Sequence, residues 1–190
     1  MYIFGYGSLV NINSAQKSFK RVLKQEDFIP VVLKGFKKVW NSIEYILFED
    51  EKQISNGIFL NLQKDEKSST NGVLLHISQE EFELLKLREK NYSCIKLNSE
   101  DFIGLKTKEK IYTFSTTNKE KIATLGDENC FIPKNYIFLL EEGLKNYSKE
   151  FQEEFVKSYS NYPFKIKEGT YKFSDPIQNR FAKDGFKDES

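Results

Sequence analysis

One carboxylate stands where an apolar residue is expected. Ser78-Gln79-Glu80-Glu81 has the form of a helix start, a hydroxyl cap with an acid three residues on. The inward stripe that follows, Phe82 and Leu85, runs on to Glu89. Spacing of i, i+3, i+7 keeps all three on one face of a 3.6-residue period, so Glu89 is expected to point toward the core. Burial disfavours the charged form of a carboxyl and raises its pKa, which suits general acid and base work. A structural account stands beside this one: Glu89 as a helix-end residue paired with Arg88 or Lys90, or exposed because the helix has already ended.

A second stretch with chemical potential is Met1 to Leu9, Met-Tyr-Ile-Phe-Gly-Tyr-Gly-Ser-Leu. Tyr2, Ile3 and Phe4 form an apolar, β-prone run that stops at two glycines, the pattern of a buried strand entering a turn. Gly5 and Gly7 permit close approach of a ligand to the backbone, and the amides of Gly7, Ser8 and Leu9 could then form an anion-binding concavity. An ordinary strand-ending turn is the alternative.

The elements that must position these groups read as strands first and helices later. Strands are expected at residues 2 to 5, Ile29 to Asn41, Glu44 to Phe48, Gly57 to Leu62, Gly72 to Ile77, Tyr92 to Leu97 and Lys110 to Phe114. The polar stretch Gln63 to Asn71 reads as a hairpin loop. A short helix is expected over Ser14 to Leu23, the Glu89 helix from its cap, another from Lys134 to about Tyr147, and a final one from near Ser148. The expected class is α+β, a small mixed β-barrel with flanking helices.

Composition bounds the function. A chain of 190 residues with 39% hydrophobic and 30% charged residues supports one domain with a real core, and a net charge of +1 gives no push toward nucleic acid or an anionic membrane. The lysines of Lys34 to Lys38 are read as a solvated strand face. Two cysteines, Cys94 and Cys130, and the single His76 form neither a disulfide framework nor a metal site, and no G-x-S-x-G elbow accompanies His76. His76 is therefore read as structural and Cys94 as a small core hydrophobe. No stretch has the length of apolar residues that spans a bilayer, and the amino terminus lacks a basic-then-apolar leader pattern, so cytoplasm is the expected compartment.

Taken together, the motifs resemble a known family. Tyr6-Gly7-Ser8-Leu9 at the end of the first strand, and Leu85-Lys86-Leu87-Arg88-Glu89 followed by Tyr92 and a strand, resemble the two marks of gamma-glutamylcyclotransferases of the ChaC-like group. Between them, Gly35-Phe36-Lys37-Lys38-Val39-Trp40 and Gly72-Val73 resemble two of the family's strands, and Pro133-Lys134-Asn135-Tyr136, followed by Gly143, resembles its Pro-x-x-Tyr helix start. The family's Leu-Asp-x-x-Glu carries Lys86 here in place of the Asp, which is not the catalytic group. Residues 1–160 are covered by the resemblance and form the expected domain; residues 161–190 are read as a C-terminal extension, wrapping or partly disordered.

The resemblance implies that Glu89 is the catalytic residue, that the loop of Gly5, Tyr6, Gly7, Ser8 and Leu9 surrounds a glutamyl moiety, and that Tyr136 approaches the substrate. The implied reaction is cleavage of a gamma-glutamyl amide by its own α-amine, releasing 5-oxoproline and an amine, amino acid or dipeptide, with no metal or organic cofactor. A small-molecule gamma-glutamyl compound is the expected partner, with neither nucleic acid nor membrane. The alternative is a non-catalytic binding or scaffold protein that keeps the fold and pocket.

Overall fold

Two long strands dominate the computed structural model, which describes residues 1–185. Strand β2 (Phe28–Phe48) and strand β3 (Ser55–His76) form one antiparallel hairpin, in register from Phe28 opposite Leu75 to Ile46 opposite Ser55. The β-branched Ile43, Ile46 and Ile58, the aromatic Phe59 and neighbouring Leu60 are buried. The chain reverses at residues 49–54, not at Gln63 to Asn71. That polar stretch lies within β3: the register jumps from Lys64 to Ser69 on β3 while β2 advances only from Phe36 to Lys34. Asp65 to Ser68 thus bulge from the ladder opposite Gly35, whose φ of +78° is the left-handed geometry that favours glycine. A second register shift lies between Trp40 and Ser42.

Strand β1 (Tyr2–Gly5) lies between β3, to which it is antiparallel, and β5 (Ile111–Ser115), to which it is parallel. Ile3 and Phe4 point to opposite faces of the sheet and are both 1% exposed, so both faces of β1 are covered. Helix α1 (Ile12–Gln16) is shorter than the Ser14 to Leu23 segment predicted. Helix α2 (Gln79–Arg88) opens with the capping box anticipated: Glu81 N–H donates to Ser78 Oγ and Ser78 N–H to Glu81 Oε2. Strand β4 (Ser93–Leu97) then pairs with β5, and β6 (Cys130–Pro133) leads into α3 (Lys134–Leu144) and α4 (Lys149–Lys157).

Residues after the helices return to the sheet. Strand β7 (Lys165–Lys167) pairs with β6, and β8 (Tyr171–Phe173) pairs with β2, before α5 (Pro176–Asn179) and a π-turn at Arg180–Asp184. Residues 186–190 of the expected extension lie outside the described residues. The ladder runs β4-β5-β1-β3-β2-β8, with β6 on β3 and β7 on β6. The class is mixed α+β. Among the described residues the ladder's ends, β4 and β8, do not pair, so hydrogen bonding does not close a ring. No described helix is long and apolar enough to cross a membrane.

Two expectations about burial are corrected. Cys94 is exposed, because β4 is an edge strand whose alternate residues face solvent. Lys38 is 5% exposed; its Nζ donates to Asn71 O, Asn71 Oδ1 and Ser158 Oγ and lies 3.5 Å from the centroid of the Phe155 ring. Burial drives its pKa well below the ordinary lysine value.

Candidate active site

The site forms where β1 leaves the edge of β3. Their pairing ends at Gly5 opposite Val73, and β6 takes up the same edge only at Asn56 and Gly57. Gly72 lets β1 lie close against β3 at this point, since a Cβ there would lie 2.5 Å from Gly5 O and 2.6 Å from the Phe4 ring. Into the gap folds the loop after β1, closing a cavity of about 50 Å³ lined by Gly5, Tyr6, Gly7, Ser8, Leu9, Glu89 and Tyr136. Phe4, Leu60, Tyr92, Thr113 and Phe114 complete the wall. All seven residues singled out in the sequence therefore line one space.

Each loop residue is fixed in its own way. Tyr6 donates its hydroxyl to Phe114 O at 2.7 Å, which anchors the loop to β5 and leaves the loop's backbone as its ligand-facing chemistry. Val10 N–H to Gly7 O and Asn11 N–H to Ser8 O close a 3-10 turn over Ser8–Val10. At the start of such a turn the first amides, those of Ser8 and Leu9, have no acceptor inside it. Gly7 is required by close packing: a Cβ would come 2.8 Å from Tyr136 Oη.

Glu89 occupies the C-cap of α2 and not its last turn; its φ and ψ are −100° and 23°, and its N–H still donates to Leu85 O. Its side chain is nevertheless 15% exposed and directed into the cavity wall. The pairing with Arg88 is also realised, at 3.0 Å from Arg88 Nε to Glu89 Oε1. Desolvation raises the Glu89 pKa above its ordinary value against the opposing pull of Arg88. The carboxyl is thus both paired and held toward neutrality.

Arg88 is the residue that sequence reasoning undervalued. Only 4% exposed, it directs all its donor nitrogens into protein. Nη1 donates to Ser14 O and Ser18 Oγ, and Nη2 to Ser8 Oγ and Ser14 Oγ, in addition to the Glu89 bond. One guanidinium therefore ties the loop, α1 and Glu89 together. The available signal was geometric: one turn on from Leu85, the inward face of the helix falls on both position 88 and position 89.

Aromatic residues close the opposite side. Tyr136, 5% exposed, has its ring edge-on to Phe59 at 4.8 Å and to Trp40 at 5.9 Å between centroids. Trp40 is itself held by donation of its indole N–H to Tyr159 O at 2.7 Å. Burial first, and then neighbouring Tyr6, Tyr171 and Glu89, push the Tyr136 pKa well above the ordinary tyrosine value, so its hydroxyl stays protonated and can donate. Behind Glu89, the 1% exposed Glu44 accepts from Asn91 Nδ2 at 2.9 Å and Gln178 Nε2 at 3.1 Å. Its pKa too is raised by burial, and Glu44 had carried no sign of a buried position.

No family model and no curated protein sequence matches the chain. Solved structures do. A gamma-glutamyl cyclotransferase aligns with a TM-score of 0.53 and 14% identity, over 95% of this chain and 96% of that one. YkqA from Bacillus subtilis aligns with a TM-score of 0.60 and 23% identity over 86% of this chain, which spans 55% of that longer protein. A gamma glutamyl cyclotransferase specific to glutathione from yeast gives 0.50 and 16%, over 83% and 94% of the two chains. The chain shares the fold of gamma-glutamyl cyclotransferases.

Proposed function

We propose that this protein is a gamma-glutamylcyclotransferase, cleaving a gamma-glutamyl amide by intramolecular attack and releasing 5-oxoproline. The observation that carries the reading is Glu89: a carboxyl with a raised pKa, clamped by Arg88, facing a cavity bounded by the Gly5–Leu9 loop and Tyr136. In a gamma-glutamyl compound the α-amine lies one five-membered ring away from the side-chain carbonyl carbon. Its nitrogen forms the new C–N bond, the bond to the departing nitrogen breaks, and no external nucleophile or redox partner is needed. Holding the near-attack geometry supplies on the order of 7–11 kcal/mol of the barrier.

The protein's part is proton transfer and charge stabilisation. Glu89 takes a proton from the attacking amine and returns it to the departing nitrogen, work that contributes on the order of 10² to 10⁴-fold. Backbone amides of Ser8 and Leu9 receive the oxyanion or the substrate α-carboxylate, and the Tyr136 hydroxyl supplies a further donor. Gly5, Tyr6 and Gly7 shape the glutamyl pocket. In this reading the bent β2–β3 hairpin acts as the wall of a small barrel around that pocket, and the enzyme works on a small cytoplasmic metabolite.

The test is 5-oxoproline release from glutathione, gamma-glutamyl-alanine and a gamma-glutamyl amine, with Glu89→Gln as the blank. Product from at least one compound, absent with the variant, is expected. Equal product with Glu89→Gln removes the assigned role. Silence across the panel favours a pocket that binds without turnover.

A further inference from the structure

A second cavity adjoins the first and shares Ser8, Glu89, Tyr92 and Tyr136 with it. Its far wall comes from the chain's C-terminal segment: Tyr171 and Phe173 of β8, Gln178 of α5, and Ala182 and Lys183 of the π-turn. That wall is fastened to the body at separate points. Phe173 pairs with Ile46 in the sheet, Gln178 is 2% exposed and donates to Glu44, Asp175 pairs with Lys90 at 2.8 Å, and Ser18 Oγ donates to Phe181 O at 3.0 Å.

The cavity contains two cations in different states. Arg88 has its counter-charge in Glu89. Lys183 has no ion pair or hydrogen bond among the described residues, and its Nζ rests 3.6 Å from the centroid of the Tyr171 ring. Burial first, and then Arg88, lower its pKa to about 8 against the opposing field of Glu49, so it remains an ammonium at neutral pH. A partly desolvated ammonium with no carboxylate in direct contact is unusual, because a charge removed from water is ordinarily paired.

We infer that this second cavity is a leaving-group subsite, in which Lys183 selects gamma-glutamyl compounds whose departing amine is an α-amino acid, with its carboxylate against Lys183, over simple amines. The inference rests on the cyclotransferase reading. If the glutamyl moiety occupies the loop side and Glu89 serves both nitrogens, the departing group extends past Glu89 into the cavity that shares it. An α-carboxylate stands two bonds from the departing nitrogen, and the Phe59, Tyr171 and Phe173 rings offer an apolar surface to the side chain. Lys183 is thus a specificity residue that leaves the reacting atoms to Glu89.

The experiment compares gamma-glutamyl-leucine with gamma-glutamyl-3-methylbutylamide, which differ only in that carboxylate. Wild-type kcat/KM should favour the leucine compound by at least tenfold, through KM, and Lys183→Met should bring the ratio close to one while Lys183→Arg restores part of it. A wild-type ratio near one, or a ratio that Lys183→Met does not change, overturns the inference. A separate titration with free L-leucine, followed by backbone amide NMR shifts, reads the subsite without turnover. Shifts around Phe59, Tyr171 and Lys183 that vanish in Lys183→Met support the subsite even if no gamma-glutamyl compound reacts, a result that would instead remove the cyclotransferase reading. Absence of such shifts in the wild type overturns the subsite.

Discussion

Arg88 Nε lies 3.0 Å from Glu89 Oε1, so the residue preceding the proposed general base is also its counter-ion. The same guanidinium reaches Ser8 in the loop after β1, Ser14 of α1 and Ser18 just beyond that helix. One side chain therefore holds the loop and the carboxyl together.

Arg88→Met should destabilise the fold far more than Glu89→Gln. It strands a buried carboxylate and four further acceptors at once, and breaking a buried pair from one side typically costs on the order of 3–5 kcal/mol. Urea unfolding midpoints of the two variants check this. Equal midpoints would mean that Arg88 is not the tie described.

The rate should depend on pH through Glu89 in its ionised form. Desolvation raises its pKa above 4.5, so the base is lost on acidification at a higher pH than for an ordinary carboxylate, and kcat/KM should climb through a midpoint above that value. A pH profile of 5-oxoproline release with a midpoint at or below 4.5 would contradict the assignment.

Gly7 and Tyr136 should behave as a coupled pair. A methyl group at position 7 meets Tyr136 Oη at 2.8 Å, and the buried ring has little room to retreat. Gly7→Ala should lower kcat/KM by on the order of 10²-fold, and adding Tyr136→Phe should recover part of that loss. A double-mutant cycle with coupling below about 0.5 kcal/mol would show the two positions to be independent.

Glu44 offers a stability test separate from catalysis. Its folded-state pKa is raised, chiefly by burial, so the stability it contributes is complete below the unfolded value of 4.5 and is lost as pH rises through the folded value. Glu44→Gln keeps the shape and removes this loss. Its melting temperature relative to wild type should therefore rise between acid and neutral pH; a flat difference would refute the linkage.

Local signals were legible and long-range ones were not. The Ser78 and Glu81 capping box, the apolar strand before Gly5 and the helices after Pro133 and Ser148 all have causes within a few residues. Glu89 was readable as inward-facing although α2 ends one residue before it. Lys38 was not readable, because its acceptors come from Asn71 and Ser158, distant in sequence. Asp65 to Ser68 have the polarity of a turn, yet the strand resumes beyond them in the same direction. Strands β6, β7 and β8 are too short for alternation to register, which hid the C-terminal wall of the second cavity.

Trp40 is the only tryptophan in the chain, and it stands edge-on to Tyr136 at the cavity wall. Red-edge excitation isolates its indole from the tyrosines, so the protein carries an intrinsic fluorophore one ring away from the proposed substrate. Ligand arrival that moves Tyr136 changes the surroundings of that fluorophore. Stopped-flow emission can therefore time the filling of the pocket, and its emptying, without a label.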